Sequence, residues 1–126
     1  MTTVKRNATN RQRGKSWERD IETYARDLGL DADRTRDTGT LDQGDIAIRT
    51  GGSVVVVEAK NTAKFTPGPF GEEALREARQ FAERRGWDEG RILPVVFVKR
   101  RQKGTSQGFA LTTIEAYLDL VRRVTE

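Results

Sequence analysis

Two acidic residues and a lysine lie at the ends of two neighbouring apolar segments. Glu58 and Lys60 follow a run of four valines, and Asp45 precedes the short segment 46–49. Residues i and i+2 of a strand point to the same side, so Glu58 and Lys60 are expected to project together. If the two segments form a hairpin across the turn at 50–53, Asp45 comes close to Glu58. The spacing therefore predicts two carboxylates and an ammonium group at one edge of a sheet.

These groups suit a hard divalent metal ion. The two carboxylates and the backbone carbonyl of Ala59 are the oxygen ligands that Mg²⁺ prefers, and Mn²⁺ is a candidate substitute. Such an ion activates water and neutralises charge on a phosphoryl oxygen, while Lys60 stabilises the transition state electrostatically. The alternative is an ordinary ion pair at a strand end, which contributes ~0–1 kcal/mol when it is exposed. The acid of the neighbouring strand, Asp45, favours the metal site.

Glu18 is a fourth candidate for this site. It lies in a helix predicted from about Ser16 to Leu28, at the border of an apolar face that includes Ile21 and Ala25. A carboxylate at this border can reach the sheet edge. The alternative is an acid in the first helical turn, where the helix dipole favours negative charge.

The apolar patterns predict the element order α-β-β-α-β-β-α, an α/β fold with a small mixed sheet flanked by helices. The predicted helices cover about 16–28, 72–85 and the residues after a cap at 112 or 113, and the predicted strands cover 46–49, 54–59, 92–99 and 109–111. Residues 31–44 and 61–71 are expected to be loops. The valine run predicts a central strand covered on both faces. Pro94 predicts a strand start or a sheet edge.

Composition excludes several chemistries. The 126 residues include no cysteine and no histidine. Disulfides, thiolate metal sites, imidazole general bases and Ser-His triads are therefore excluded. The length is typical of one domain. No apolar run is long enough for a membrane span or a signal peptide, so we expect no membrane partner and a cytoplasmic location.

Positive charge is concentrated in a few segments. The net charge is +4, and residues 1–15 contain five cations and no acid. Clustered cations predict a nucleic acid partner, whereas the alternating Glu and Arg residues of 72–85 are typical of a solvated helix face. Residues 1–14 are expected to be a flexible basic arm, and 15–126 a single domain. The predicted nucleic acid contacts are Lys5, Arg6, Arg11, Arg13, Lys15, Arg34, Arg36, Lys99, Arg100, Arg101 and Lys103.

Three motifs carry a family resemblance. They are Gly14-x-x-x-Glu18, Gly44-Asp45-Ile46-Ala47 and Val57-Glu58-Ala59-Lys60. The succession resembles the PD-(D/E)xK nuclease superfamily and, more narrowly, the archaeal-type Holliday-junction resolvases that also occur in phages. Recognisable motifs cover roughly residues 11–62. The resemblance implies a restriction-endonuclease-like fold, and residues 15–126 become a nuclease domain.

The resemblance also implies a role for each site residue. Asp45 and Glu58 become metal ligands, Lys60 the catalytic lysine, and Glu18 the helix carboxylate that completes the site. A hydroxyl residue of a mobile loop before the aspartate is matched by Thr38 or Thr40. One departure is Gly44, which stands where the superfamily name has proline.

The implied activity is resolution of four-way DNA junctions by a homodimer whose two sites each cut one strand. Backbone contacts by the basic arm would make binding strongly dependent on salt. Two alternatives remain open: a nuclease of the same superfamily that acts on flaps, nicks or duplex DNA, and a non-catalytic DNA-binding module of the same fold. Trp87 and the surface of the last helix are candidate dimer contacts, although either could equally belong to the core.

Overall fold

A computed structural model describes residues 2–35 and 44–125, with side chains from residue 12 onward. Within these residues the chain forms three α-helices and five strands. The helices are α1 (Thr2–Asp27), α2 (Pro67–Arg85) and α3 (Ile114–Thr125). The strands are β1 (Asp31–Arg34), β2 (Ile46–Arg49), β3 (Val54–Lys60), β4 (Ile92–Val98) and β5 (Phe109–Leu111). Short 3₁₀ turns cover Glu89–Arg91 and Thr105–Gln107.

The five strands form one mixed sheet in the order β1-β2-β3-β4-β5. The first three strands form an antiparallel meander, β3 and β4 are parallel, and β5 returns antiparallel to β4. A parallel pair needs a crossover connection, and α2 supplies it between β3 and β4. The predicted mixed sheet flanked by helices is thus confirmed.

The central strand β3 is covered on both faces, as the valine run predicts. Its odd-numbered residues pack with Trp17 and other residues of α1, and its first even-numbered residues pack with Phe81 and other residues of α2. Side chains alternate along a strand, so Glu58 and Lys60 continue the face that α2 covers. The catalytic candidates of β3 are therefore placed between the sheet and α2.

Two helices begin earlier than predicted. The helix α1 begins at Thr2 rather than near Ser16, so the backbone of residues 2–14, expected as a flexible arm, is helical. These polar residues lack the apolar periodicity from which a helix is recognised. The helix α2 begins at Pro67 rather than Glu72. Proline is favoured in the first helical turn, although in the sequence it resembled part of a loop.

Part of the predicted loop 31–44 is a strand. Residues 31–34 form β1, which pairs with β2. Ala32 is its single buried residue, and Arg49 of β2 reaches across to Asp33 with an N–O distance of 3.0 Å. A strand stabilised by pairing and charge rather than by apolar residues has no hydrophobic signature in the sequence.

Other predicted details are confirmed. Gly86 ends α2 with a left-handed φ of 71°, and the Thr113 hydroxyl accepts a hydrogen bond from Ala116 N at the start of α3. Pro94 is the third residue of β4, and β5 pairs with β4 only from Val96 onward. Pro94 therefore lies where β4 is still at the sheet edge.

The apolar residues of α3 are mostly exposed. The exposed fraction is 79% for Ile114, 58% for Tyr117 and 57% for Leu118. Trp87, by contrast, is partly buried and packs against the core beneath α2. On α1, Tyr24 and Leu28 are exposed, although they lie at helical spacing from the buried Ile21 and Ala25. Among the described residues, no helix has both the length and the apolar character needed to cross a membrane.

Candidate functional site

The carboxyl ends of β3 and β4 meet α1 at one edge of the sheet. Lys99 N donates to Lys60 O (2.9 Å) at the ends of the two parallel strands. Asn61, the residue after β3, donates from its side chain to Arg13 O of α1 (3.4 Å). The N-terminal half of α1, β3 and β4 therefore converge on the region where chemistry was predicted.

Asp45 is held against the end of β3. The predicted β2–β3 hairpin is confirmed by the pairing of Ile46 with Val57. Asp45 N donates to Val57 O (2.8 Å), and its Oδ2 accepts from Ala59 N (2.8 Å). The second bond fixes the Asp45 carboxylate beside Ala59, whose carbonyl was the predicted third metal ligand.

The backbone around Gly44 accounts for the absence of proline there. Gly44 has φ +81°, and a Cβ at this position would lie 2.6 Å from Val56 Cγ1. Proline is restricted to φ near −65°, so it cannot adopt this conformation. Thr35 secures the same segment: its N donates to Asp45 O (2.8 Å), and its hydroxyl donates to Gly44 O. The glycine at this position thus follows from the local path of the chain.

Glu18 is electrostatically linked to Asp45. Desolvation by burial and the nearby Asp45 carboxylate raise the pKa of Glu18 to about 7, while Arg34 and Lys15 act in the opposite direction. Because α1 begins at Thr2, Glu18 lies in the middle of the helix. The alternative of a first-turn acid favoured by the helix dipole is therefore wrong.

Glu58 and Lys60 lie next to α2. Glu58 is only 7% exposed, and in the described part of the chain no hydrogen-bond donor reaches its Oε2. Lys60 Nζ lies 3.8 Å from Glu58 Oε1, but it is closer to Glu73 of α2, at 2.5 Å from Oε1. The Phe70 ring, centred 5.3 Å from Nζ, also faces this ammonium group. Side chains of α2 therefore orient the predicted catalytic lysine.

Sequence reasoning missed the two glutamates of α2. One carboxylate oxygen each from Glu58, Glu73 and Glu77 lies within 4.8 Å of the other two. Glu77 is 1% exposed, so the prediction of a solvated face for the acids of this helix is wrong for this residue. A signal was present in the sequence: Glu77 lies three residues after Ala74 and four before Phe81, within the apolar stripe.

The predicted ligands thus divide into two groups. Asp45 is linked to Glu18 and to the backbone of Ala59, whereas Glu58 lies with the glutamates of α2. Within the described residues, Glu18, Asp45 and Glu58 do not form one group with donor oxygens all within 4.8 Å of one another. All the side chains here that could bind a metal ion are carboxylates. One buried oxygen of Glu58 accepts no hydrogen bond from the described residues. Such a donor set fits a hard cation of the Mg²⁺ type.

The predicted nucleic acid contacts have different environments. Lys99 Nζ lies 5.8 Å from the centre of the Trp17 ring, and the Arg100 guanidinium lies 4.5 Å from that of Phe109. Arg101 and Lys103 follow in an exposed turn. These cations lie in the turn that follows β4. This turn is next to the carboxyl end of β3, where Lys60 lies.

Arg34 makes an internal ion pair. Its Nε lies 3.4 Å from Glu22 Oε1, and its backbone N donates to Glu22 Oε2 (2.8 Å). Glu22 is 8% exposed, so this pair fastens β1 to α1. Because the Arg34 guanidinium is already paired with Glu22, it is less available to bind DNA phosphate. The predicted contacts Lys5, Arg6, Arg11, Arg36, Thr38 and Thr40 have side chains outside the described residues.

The architecture and the site together define the fold class. A mixed five-stranded sheet flanked by three helices, with acidic residues at the ends of β2 and β3, is a restriction-endonuclease-like α/β fold. A solved structure with this fold is that of Archaeoglobus fulgidus Hjc, a Holliday junction resolvase from an archaeal hyperthermophile. The likeness has a TM-score of 0.50 at 16% sequence identity, and it covers 83% of this chain and 92% of that chain. No family model matches the sequence, and no curated protein does.

Proposed function

We propose that this protein is a metal-dependent endonuclease of the PD-(D/E)xK type that resolves four-way DNA junctions. The observation that carries the proposal is the Asp45 carboxylate, which is fixed against Ala59 N at the strand end that carries Glu58 and Lys60. The fold shared with the archaeal resolvase supports the class of substrate. The sequence motifs around Glu18, Asp45 and Glu58 support the same activity independently.

The proposed ligands are the carboxylates of Asp45, Glu58 and Glu18 and the carbonyl of Ala59. They would hold Mg²⁺, with Mn²⁺ as a substitute, and the ion would supply Lewis acidity for phosphodiester hydrolysis. Asp45 is pre-oriented, because its second carboxylate oxygen already accepts from a backbone amide. The Lys60 ammonium would face the charge that develops on the phosphate during the reaction.

Cations near this edge support a DNA partner. Lys15 lies close enough to Glu18 to lower its pKa. The basic turn 99–103 follows β4 at the same edge as Lys60. The proposed DNA contacts combine this turn with the basic N-terminal segment 1–14, in which the backbone of residues 2–14 belongs to α1. An enzyme of this kind would act in the cytoplasm, where DNA is accessible.

A homodimer is part of the proposal, because symmetric cutting of a junction needs two sites. The exposed apolar residues of α3 are suitable for contact with a second copy, since large exposed apolar patches mark interaction surfaces. They include Ile114, Tyr117, Leu118, Leu120, Val121 and Val124. Trp87 is partly buried in the core, so it is the weaker of the two predicted dimer contacts.

Cleavage of three labelled DNAs of matched sequence tests the proposal: a four-way junction, a flap and a linear duplex, each with Mg²⁺ and with EDTA. We expect paired symmetric cuts in the junction alone, dependent on Mg²⁺. Cutting of flaps or duplex would keep the active site and replace the substrate. Tight junction binding without any cutting would overturn the proposal in favour of a non-catalytic DNA-binding module.

A further inference from the structure

Two glutamates of α2 face the sheet rather than the solvent. Glu73 and Glu77 are four residues apart and therefore lie on the same face of the helix. Glu77 is almost completely buried, and so is Glu58 on the facing strand. The three side chains bring one oxygen each to within 4.8 Å of the others. Three carboxylates are thus gathered between a helix and a sheet, and two of them, Glu58 and Glu77, are buried.

This arrangement is unfavourable unless positive charge is present. Like charges at positions i and i+4 destabilise a helix, and a buried carboxylate loses its hydration. A positive group is in fact found there: Lys60 Nζ lies 2.5 Å from Glu73 Oε1 and 3.8 Å from Glu58 Oε1. The cluster already binds a cation, and that cation is a side chain of the protein itself.

A second observation points to an additional ligand. Glu58 is 7% exposed, and no donor among the described residues makes a hydrogen bond to its Oε2. Buried acceptors are nearly always satisfied by protein or solvent groups, so an exception of this kind requires an explanation. A cation bound among Glu58, Glu73 and Glu77 would supply the missing partner.

We infer that Glu58, Glu73 and Glu77 form a binding site for a hard divalent cation, Mg²⁺ or Mn²⁺, and that Lys60 takes the place of the ion when none is bound. The site would share Glu58 with the metal position proposed beside Asp45. Active sites with two neighbouring metal ions are common in enzymes that hydrolyse phosphate esters. The inference depends on the proposed function only through the shared residue, because cation binding requires neither DNA nor cleavage.

Titration of the full chain with Mn²⁺ in the absence of DNA tests the inference, with free Mn²⁺ measured by electron paramagnetic resonance. We expect Glu73→Gln to weaken one binding event roughly tenfold or to abolish it. Glu72→Gln removes one acid from an exposed position beside it and should leave the titration unchanged. Asp45→Asn should retain the event that depends on Glu73. An unchanged titration for Glu73→Gln, or a wild-type chain that binds no Mn²⁺, would overturn the inference.

Lys60→Met provides the sharper test. Removal of an ammonium group that competes for the same carboxylates should tighten Mn²⁺ binding roughly tenfold. A lysine that only buttresses the cluster would instead give unchanged or weaker binding, and that outcome contradicts the role of Lys60 as a stand-in cation. Melting temperatures in EDTA verify that each variant is folded. A chain that binds Mn²⁺ through Glu73 but cuts no DNA would refute the proposed function and leave this site intact.

Discussion

The two groups of carboxylates at the sheet edge differ in their surroundings. Asp45 and Glu18 are partly exposed, and Arg34 and Lys15 lower the pKa of Glu18. Glu58 and Glu77 are buried, and Lys60, on the same strand as Glu58, lies 3.8 Å from Glu58 Oε1. The first group is therefore partly accessible to solvent, whereas two of the three acids of the second group are buried between α2 and β3.

The difference suggests a division of roles along one strand end. A partly exposed carboxylate fixed by a backbone amide, as Asp45 is, can hold a metal ion that also contacts phosphate. The buried carboxylates of the second group act on an ion or on Lys60, and Lys60 is the group that faces the phosphate in the proposed reaction. Glu58 belongs to the second group by contact. It also adjoins the first group, because Asp45 is hydrogen-bonded to Val57 and Ala59, the residues on either side of Glu58. It is therefore the residue on which both groups depend.

The largest expected effect is loss of cleavage in Glu58→Gln and Asp45→Asn. Each substitution removes one charge, and we expect rates to fall by about 10²–10³-fold or more, with the larger loss for Glu58→Gln. Junction affinity in EDTA should be retained, because neither residue is a cation. Single-turnover cleavage and gel-shift binding of the same labelled junction measure both quantities.

Asp45→Asn should remove the charge without disturbing the local structure. The asparagine carbonyl can still accept from Ala59 N, so the local fold should persist. Equal melting temperatures in EDTA would verify this. If both variants cut at the wild-type rate, the proposed ligands are wrong. If Asp45→Asn alone cuts normally, the active group is the buried one around Glu58.

Substitution of cations in the basic turn 99–103, between β4 and β5, is expected to have a smaller effect, which is on junction binding. Arg101→Ala combined with Lys103→Ala should weaken junction binding about tenfold at moderate salt and reduce the slope of log K against log salt by about 1–2, because each lost phosphate contact contributes roughly 0.9. Arg91→Ala serves as a matched control, since Arg91 bonds to Gly52 O at the opposite end of β3. An unchanged salt slope in the double variant would remove this turn from the DNA interface.

The sequence predicted the fold where apolar patterns determine it. The strands β2 and β5 have the predicted bounds, and the valines of β3 lie in the centre of the sheet. β1 was missed because one buried alanine in a strand of charged residues gives no alternation. The start of α1 was missed because its first residues have no apolar face, so helical structure there has no periodic signal.

The site was predictable only as far as strand geometry extends. Counting outward from the hairpin turn brought Asp45 beside the end of β3, because antiparallel register follows from the turn. The contribution of α2 depends on how the helix docks on the sheet, which local spacing does not determine. Charged residues that alternate along a helix usually face solvent, so the buried Glu77 was interpreted as part of a solvated face.

The smallest expected effect concerns the pH dependence of stability at Glu18. Its pKa in the folded chain is about 7, above the ordinary value of 4.5 for a glutamate. The folded state therefore binds more protons between these values, and stability falls as pH rises through this window. Glu18→Gln removes the ionised form. Without metal, it should raise the melting temperature by a few degrees at pH 8 and not at pH 4. Glu83→Gln, an exposed substitution on α2, controls for the loss of an acid. Equal melting temperatures for Glu18→Gln and wild type at pH 8 would show that Asp45 and burial do not oppose ionisation of Glu18.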